Sequence, residues 1–479
     1  MEGLLDWAES NGIYFSDDIE LGKDETGSIG VSWKNNTDRS TQNSNDEDEG
    51  YTTLLEIPIE SVLMSSMLDS SLQQKVEEAC HLKKLQDQEE QSPPIPGSDS
   101  PEDLVEDFTL VLLVLQELSK GRESKWYKWF QTLPTTFQTP MYWDPVEREY
   151  ANQLGLKFGI QQADKIWEDL LFVLRTALPS HTYSPSTIQW AYSIYTTRCM
   201  SIQTHNGQEV TCLLCVGDMF NHRSSGTTVE FPHQESPDGP VLIKISNQDA
   251  ATNSTAKSQG IYMNYGYRFQ PARFLCSYGF FDASSPDWTA IPAMPLVISS
   301  RDNAQEAAGL GFFSHEEMIF DTNTGRASPH VWNAILWDYL QRQLYKLQTG
   351  YAMPTQFSWN DCLICGHQVY LSQGPQKRKH GGDDASSSIA QIQESLQHLK
   401  KSDDHTSQVL LGRHHRELTQ VLLRVVENVL DTIGPVPEEK SQEFCYKHPN
   451  WKLLHDFHQN FESVYLKVQE YLTMEMANY

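Results

Sequence analysis

Gly217-Asp218-Met219-Phe220-Asn221-His222 and Ile261-Tyr262-Met263-Asn264-Tyr265-Gly266-Tyr267-Arg268 are the two stretches whose reading decides this chain. Ahead of the first, residues 212–216 form an apolar run that reads as a buried strand and breaks at Gly217 into a polar turn. The second reads as another short strand ending in a Tyr-Gly corner, with the apolar, aromatic residues 274–281 after it. Two strand ends, each carrying groups able to hydrogen-bond a small molecule, look like two walls of one site.

Working outward, Leu4, Leu5, Trp7 and Ala8 put an apolar face on a short helix that Asn11-Gly12 would end. Residues 27–31 read as a glycine-permitted turn, and residues 53–58 as a strand closed by Pro58. Between them, residues 35–50 form an acidic, solvated loop insertion. Residues 68–91 alternate charged and apolar residues as a surface helix does. A second helix is expected to begin near Ser100-Pro101-Glu102-Asp103 and to be buried over residues 108–118, which are apolar nearly all round. Ile166, Trp167, Leu170, Leu171 and Leu174 keep helical spacing, and residues 190–197 do so more loosely. From Ala304 the period is read as helical to the end. Residues 331–347 would form one helix, Val421 to Ile433 a second stopped by Gly434-Pro435, and Phe457 to Leu472 a third. A polar loop over residues 374–405 separates the first two, and the seam between the strand-bearing and helical regions is placed at residues 295–305.

The 479 residues include 21% charged and 39% apolar residues, a globular composition long enough for two domains. A net charge of −28 argues against a nucleic-acid binder and favours basic partners. Eight cysteines without regular spacing read as free thiols in a reducing compartment. The N-terminus lacks a signal-peptide pattern, and the longest apolar run, residues 110–115, is far too short to span a bilayer. These features predict an intracellular protein independent of membranes; the expectation is a cytoplasmic monomer, with the nucleus as the alternative setting. Lysine interleaved with aromatics at residues 126–130 can mark a base-stacking surface, but one lysine in an acidic chain favours core packing. Cys362-x-x-Cys365-Gly-His367 looks like half of a zinc site, and Cys445-x-x-His448 could supply the rest; the separation of about eighty residues is long for such a site, and no metal is expected.

Several of these segments together resemble SET-domain methyltransferases of the branch typified by the Rubisco large-subunit lysine methyltransferase. Asp218-Met219-Phe220-Asn221-His222 is similar to the family's D-M-x-N-H motif. Leu133-Pro134 with Thr139-Pro140-Met141-Tyr142, Trp190-Ala191 with Thr197-Arg198, Tyr265-Gly266-Tyr267-Arg268 and Ser277-Tyr278-Gly279-Phe280-Phe281 follow in the branch's order. Leu4 to Gly12 matches its L-x-x-W-A-x-x-N-G start.

The resemblance implies an α+β fold: a SET-domain β-fold over residues 1–300 with a helical insertion over about 65–190, then an all-α substrate-binding domain over 301–479. It implies a protein-lysine N-methyltransferase using S-adenosylmethionine, acting on a basic protein, with a ribosomal protein as the first choice; some relatives methylate histidine. Asn221 and His222 would contact the cofactor, Arg198 would pair with its carboxylate, and Gly30 would let backbone approach its methionine end. Tyr265 would sit where the methyl group is transferred, and Tyr278 and Phe280 would line the target side chain's channel. The chain departs from the branch's S-N-A-E at residues 269–273, Phe-Gln-Pro-Ala-Arg, where Gln270 and Ala272 replace the Asn and Glu. That departure keeps a non-catalytic interaction scaffold in view as the rival reading.

Overall fold

Short runs of β-branched and aromatic residues bounded by turn residues become the strands of the first part of the chain. The computed structural model describes residues 2–23, 29–34, 50–89, 101, 104–178, 183–224, 228–230, 232–236, 239–247, 260–265, 271–283, 285, 287–289, 319–329, 331–332, 335–336, 339, 355–359, 367–371 and 404–477. Its first strands are β1 (Tyr14–Phe15), β2 (Ile19–Lys23), β3 (Ile29–Trp33), β4 (Tyr51–Ile57) and β5 (Val62–Met64). After a helical segment come β6 (Cys199–Gln203), β7 (Glu209–Leu214), β8 (Asn221–His222), β9 (Thr228–Val229), β10 (His233–Gln234), β11 (Val241–Ser246) and β12 (Gly260–Met263).

These strands form two sheets. The larger runs β1-β4-β11-β10-β6-β7-β5, and the smaller runs β2-β3-β12-β8 with β9 also on β12. In the larger sheet β4 and β11 are antiparallel from Ile57↔Val241 to Tyr51↔Ser246, with a register shift at Ile243/Lys244. Val241, Ile243 and Ile245 are fully buried there, which fixes the register because a one-residue slip would turn them to the other face.

The helical segment is sorted by how much of each helix is apolar. The Val105–Ser119 helix, Val-Glu-Asp-Phe-Thr-Leu-Val-Leu-Leu-Val-Leu, buries Phe108 and every residue from Leu110 to Leu115, as its uniform apolarity predicts. It starts after Leu104 rather than near Ser100, and Glu106 and Asp107 supply the first-turn acids. Ser70–Glu89, Lys157–Ala177 and Pro185–Arg198 are the neighbouring helices. The first two are joined by a ring of charges: Lys83 bridges Asp87 and Asp169, and Lys165 bridges the same two carboxylates.

The N-terminal helix Glu2–Ser10 buries Leu4, Trp7 and Ala8, leaves Leu5 exposed, and ends at Gly12, whose φ of 74° needs glycine. Trp126, Trp129 and Phe130 are buried, so the aromatic cluster is core and not a stacking surface.

The chain divides into two compact units, residues 1–137 with 163–267, and residues 138–162 with 268–479. The expected seam at residues 295–305 lies outside the described residues, as do most of the acidic insertion, residues 35–49, and the loop over 374–403. In the second unit the Asp404–Ile433 and Trp451–Ala477 helices pack through Leu418, Leu422, Val426 and Val429 and through Leu454, Phe461, Tyr465 and Val468. Gly434, at φ 67°, stops the first of them as predicted. Asp144 caps the Pro145–Gln153 helix in a reciprocal capping box with Glu147.

The region after Ala304 is not helical throughout. Asp287–Thr289 pairs with Ile319–Asp321, and Thr355–Trp359 pairs with His367–Leu371, each antiparallel. The second pair alternates, with Phe357 and Trp359 opposite Val369 and His367, a period-two pattern that the surrounding helical periodicity outweighs in a sequence reading. A further helix, Pro271–Tyr278, forms where no helix was anticipated. Within residues 331–347, the described positions Val331, Ile335 and Leu336 are helical and buried.

Candidate active site

The first wall starts where β7 leaves the sheet. Cys212, Leu213, Leu214, Cys215 and Val216 are all buried, and burial pushes the Cys215 thiol well above its ordinary range. The chain then turns through a 3₁₀ segment, Gly217–Met219. A Cβ on Gly217 would stand 2.7 Å from Leu214 Cδ2 and 3.2 Å from Ile243 Cδ1, so only glycine lets this turn sit on the sheet.

Asp218 fastens the turn from below. Its side chain is fully buried, and Arg198 Nη1 donates to Oδ2 at 2.7 Å and to the Asp218 carbonyl at 3.3 Å. The indole N–H of fully buried Trp129 reaches Oδ1 at 3.2 Å. One carboxylate thus ties the turn to the end of the Pro185–Arg198 helix and to the aromatic core. Such a pair is conformationally demanding, because either partner alone would be an uncompensated buried charge.

The second wall is β12, which lies between two strands. Tyr262 pairs with both Asn221 and Thr228, and Met263 with both His222 and Val229, all parallel. One residue earlier, Ile261 pairs antiparallel with Val31 of β3. The chain therefore passes between the two segments that follow the turn. Arg223 lies over the Tyr262 ring at 4.0 Å, and its N–H donates to the Met263 carbonyl.

Tyr265 closes the site. Its hydroxyl donates to the Phe220 carbonyl at 2.9 Å, and its backbone N–H donates to His222 Nδ1 at 3.1 Å. With Nδ1 accepting, the imidazole proton sits on Nε2, which donates to Ser224 Oγ at 3.0 Å. The Asn221 carboxamide donates to the Ile29 carbonyl at 3.3 Å, linking β8 to the start of β3.

Five of the predicted site residues, Gly30, Arg198, Asn221, His222 and Tyr265, thus lie on elements joined directly to one another in the first unit. Two of them differ from expectation. Gly30 is buried inside β3, paired with Gly22, and is not in a turn; residues 24–28 lie outside the described residues. Arg198 is engaged by Asp218 from within the chain, and its Nε is buried without a hydrogen-bond partner. Tyr278 and Phe280 belong to the second unit, where they form a three-ring cluster with Phe274 at centroid distances of 5.5–6.0 Å. Gly279 between them has φ 78°, and a Cβ there would stand 3.0 Å from the Gln138 carbonyl carbon. Of the stretch 269–273, residues 269–270 lie outside the described residues and Pro271 opens a helix.

The sequence reading missed Asp218, Trp129 and the Phe220 carbonyl. Asp218 stood inside the quoted motif as a buried acid with no partner in sequence, and its invisible partners were the signal's missing half. Cys362 and Cys365 lie outside the described residues; His448 Nδ1 sits 2.6 Å from Asp144 Oδ2. Among the described residues no three metal-ligating side chains come together, and no helix is long and apolar enough to cross a membrane.

No family model matches the chain. The ribosomal lysine N-methyltransferase Set10 of Schizosaccharomyces pombe is 25% identical over 183 residues. That match covers 36% of this chain, and the chain spans about a third, 31%, of the relative's length. Among solved structures, the SET domain of LSMT bound to lysine and AdoHcy superposes with a TM-score of 0.54 at 12% identity, covering all of this chain and 91% of that one. The same SET domain bound to methyllysine and AdoHcy gives a TM-score of 0.54, again at 12% identity, with 92% of that chain covered. Threaded strand, fastened turn and this likeness agree: the chain has the SET-domain fold of the LSMT kind, with a helix-rich C-terminal region.

Proposed function

We propose that this chain is an S-adenosylmethionine-dependent protein-lysine N-methyltransferase, and the placement of Tyr265 carries the reading. Its hydroxyl proton is committed to the Phe220 carbonyl and its backbone N–H to His222. The phenolic oxygen is thereby fixed from two sides, and a hydroxyl oxygen is a group of the kind that accepts from an amine N–H. The names of the relatives support the same chemistry: one is a ribosomal lysine N-methyltransferase, and the other binds lysine and AdoHcy.

S-Adenosylmethionine, when bound, would supply a methyl group on an electrophilic sulfonium. Asn221, His222, the Gly30 backbone and Arg198 are the groups proposed to hold it. The buried, unpartnered Arg198 Nε is a donor suited to a ligand carboxylate, although Asp218 already neutralises much of that guanidinium. The protein's remaining work is alignment and proton management. A lysine amine, with an ordinary pKa of about 10.4, attacks only when neutral. Tyr265 packs against the apolar core that includes Phe220 and Met263, surroundings that disfavour the ammonium form. The net charge of −28 favours a basic substrate, with a ribosomal protein as the leading choice; the cytoplasm is the proposed setting, with the nucleus as the alternative.

The test incubates the purified chain with methyl-labelled cofactor and cell extract, beside Tyr265→Phe, and identifies the labelled residue by mass spectrometry. Label on a lysine, lost in the variant, is expected. Label on histidine would correct the target, and transfer unchanged by the substitution would remove Tyr265 from the reaction.

A further inference from the structure

Val216 has φ 72° and ψ −36°, and among the described residues it is the one non-glycine with a positive φ. A β-branched side chain is the least suited to that region, because its Cβ substituents collide with the backbone. Such strain persists only where the surroundings over-determine it, and it gathers at functional sites. Here the restraints are visible on both sides. Upstream, Leu213 and Leu214 of β7 are paired with Leu63 and Val62 of β5, and Leu213 also with Cys199 of β6. Downstream, the Val216 carbonyl accepts from Met219 N–H at 3.0 Å, and Asp218 is tied to Trp129 and Arg198. Val216 is itself 1% exposed, so its side chain cannot swing out to relieve the conflict.

The strained residue stands at the head of the segment that fixes Tyr265. From Val216 the chain reaches the Phe220 carbonyl through one 3₁₀ turn, and that carbonyl takes the Tyr265 hydroxyl proton. An unstrained backbone at Val216 would send the turn elsewhere on the sheet, and Gly217, pressed on Leu214, leaves no slack to correct it.

We propose that Val216 is a positioning residue: its left-handed backbone, held between β7 and the fastened Asp218, aims the Phe220 carbonyl that fixes the Tyr265 hydroxyl. The catalytic consequence rests on the methyltransferase reading; the geometric consequence does not. Val216→Gly removes the conflict and frees the backbone. Val114→Ala, in the buried Val105–Ser119 helix far from this turn in sequence, serves as a matched loss of buried side chain. In Val216→Gly the Met219 and Phe220 amides should exchange with solvent about tenfold faster than in wild type, a change not shared by Val114→Ala. Its kcat for methyl transfer should fall about tenfold or more while KM for S-adenosylmethionine stays within about twofold. If Val216→Gly fails to fold, Gly217→Ala displaces the same turn and should give the same split.

Exchange at Met219 and Phe220 no faster than in Val114→Ala, or kcat at the wild-type level, overturns the proposal. Should wild type transfer no methyl group at all, the functional reading falls, and the exchange measurement still decides the role of Val216.

Discussion

Replacing Asp218 by Asn removes one charge from the base of the site while keeping its shape. The Asn oxygen still accepts from Trp129, so the substitution isolates the pairing with Arg198 at 2.7 Å. Breaking a buried pair by removing one partner costs about 3–5 kcal/mol. Asp218 is fully buried, but 23% of the Arg198 side chain remains exposed, so water stabilises part of the abandoned guanidinium and the lower figure applies. A loss of about 3 kcal/mol in a unit of this size lowers its melting temperature by roughly 6–12 °C. Arg198→Met alone leaves the carboxylate buried with only the indole to solvate it and should be comparably costly. The double variant should be less destabilised than the sum by about 1–3 kcal/mol, since it leaves no unpaired charge. Urea unfolding of the four proteins, with hydrogen exchange on peptides from residues 199–224, reads both quantities. A shift under about 2 °C for Asp218→Asn, or strictly additive singles, would refute the view that this pair fastens the turn.

Tyr265→Phe deletes the hydroxyl bound to Phe220 and should lower kcat about a hundredfold, a size typical of one positioned polar group, with cofactor affinity unchanged by calorimetry. The second unit should lose stability in acid in two steps. Burial lowers the pKa of His458, whose ring is held by Tyr150 and the Gly434 carbonyl, so the unfolded chain binds the extra proton and stability falls as pH drops below about 6.5. Asp144 follows: burial alone would raise its pKa, but hydrogen bonds from Glu147 N–H, His448 and Val146 N–H bring it below the ordinary value. Its contribution is therefore present above about 3.8 and lost as pH falls further. Melting temperatures from pH 7.5 to 3 check this, and His458→Phe should abolish only the first step. Burial pushes the thiols of Cys199 and Cys276 up to about 12, and those of Cys212 and Cys215 up as well, so thiol reagents at neutral pH should leave them unlabelled until the chain unfolds.

The features legible in sequence were those carried by local pattern. The apolar run ahead of Gly217 announced β7, uniform apolarity announced the buried Val105–Ser119 helix, and Gly434-Pro435 announced the end of a C-terminal helix. The threading of β12 between β8 and β9 left no local trace, because Tyr262 meets Asn221 and Thr228 only through the path of the chain. Arg198 was recognised as a functional cation, yet its carboxylate partner lay in the very motif used to find the site. A motif lists residues, and it does not say which of them spend their charge on one another. The hairpin at Thr355–Trp359 and His367–Leu371 was hidden differently, since five-residue alternations carry little weight among long helical periods.

Asn221, His222 and Tyr265, brought together by β8 and β12, are proposed to form an S-adenosylmethionine site. Isothermal titration of the cofactor into the purified chain tests it most directly. Saturable binding near one equivalent, lost in Asn221→Ala and kept in Tyr265→Phe, is the predicted result. A wild-type chain that takes up no S-adenosylmethionine would contradict the account.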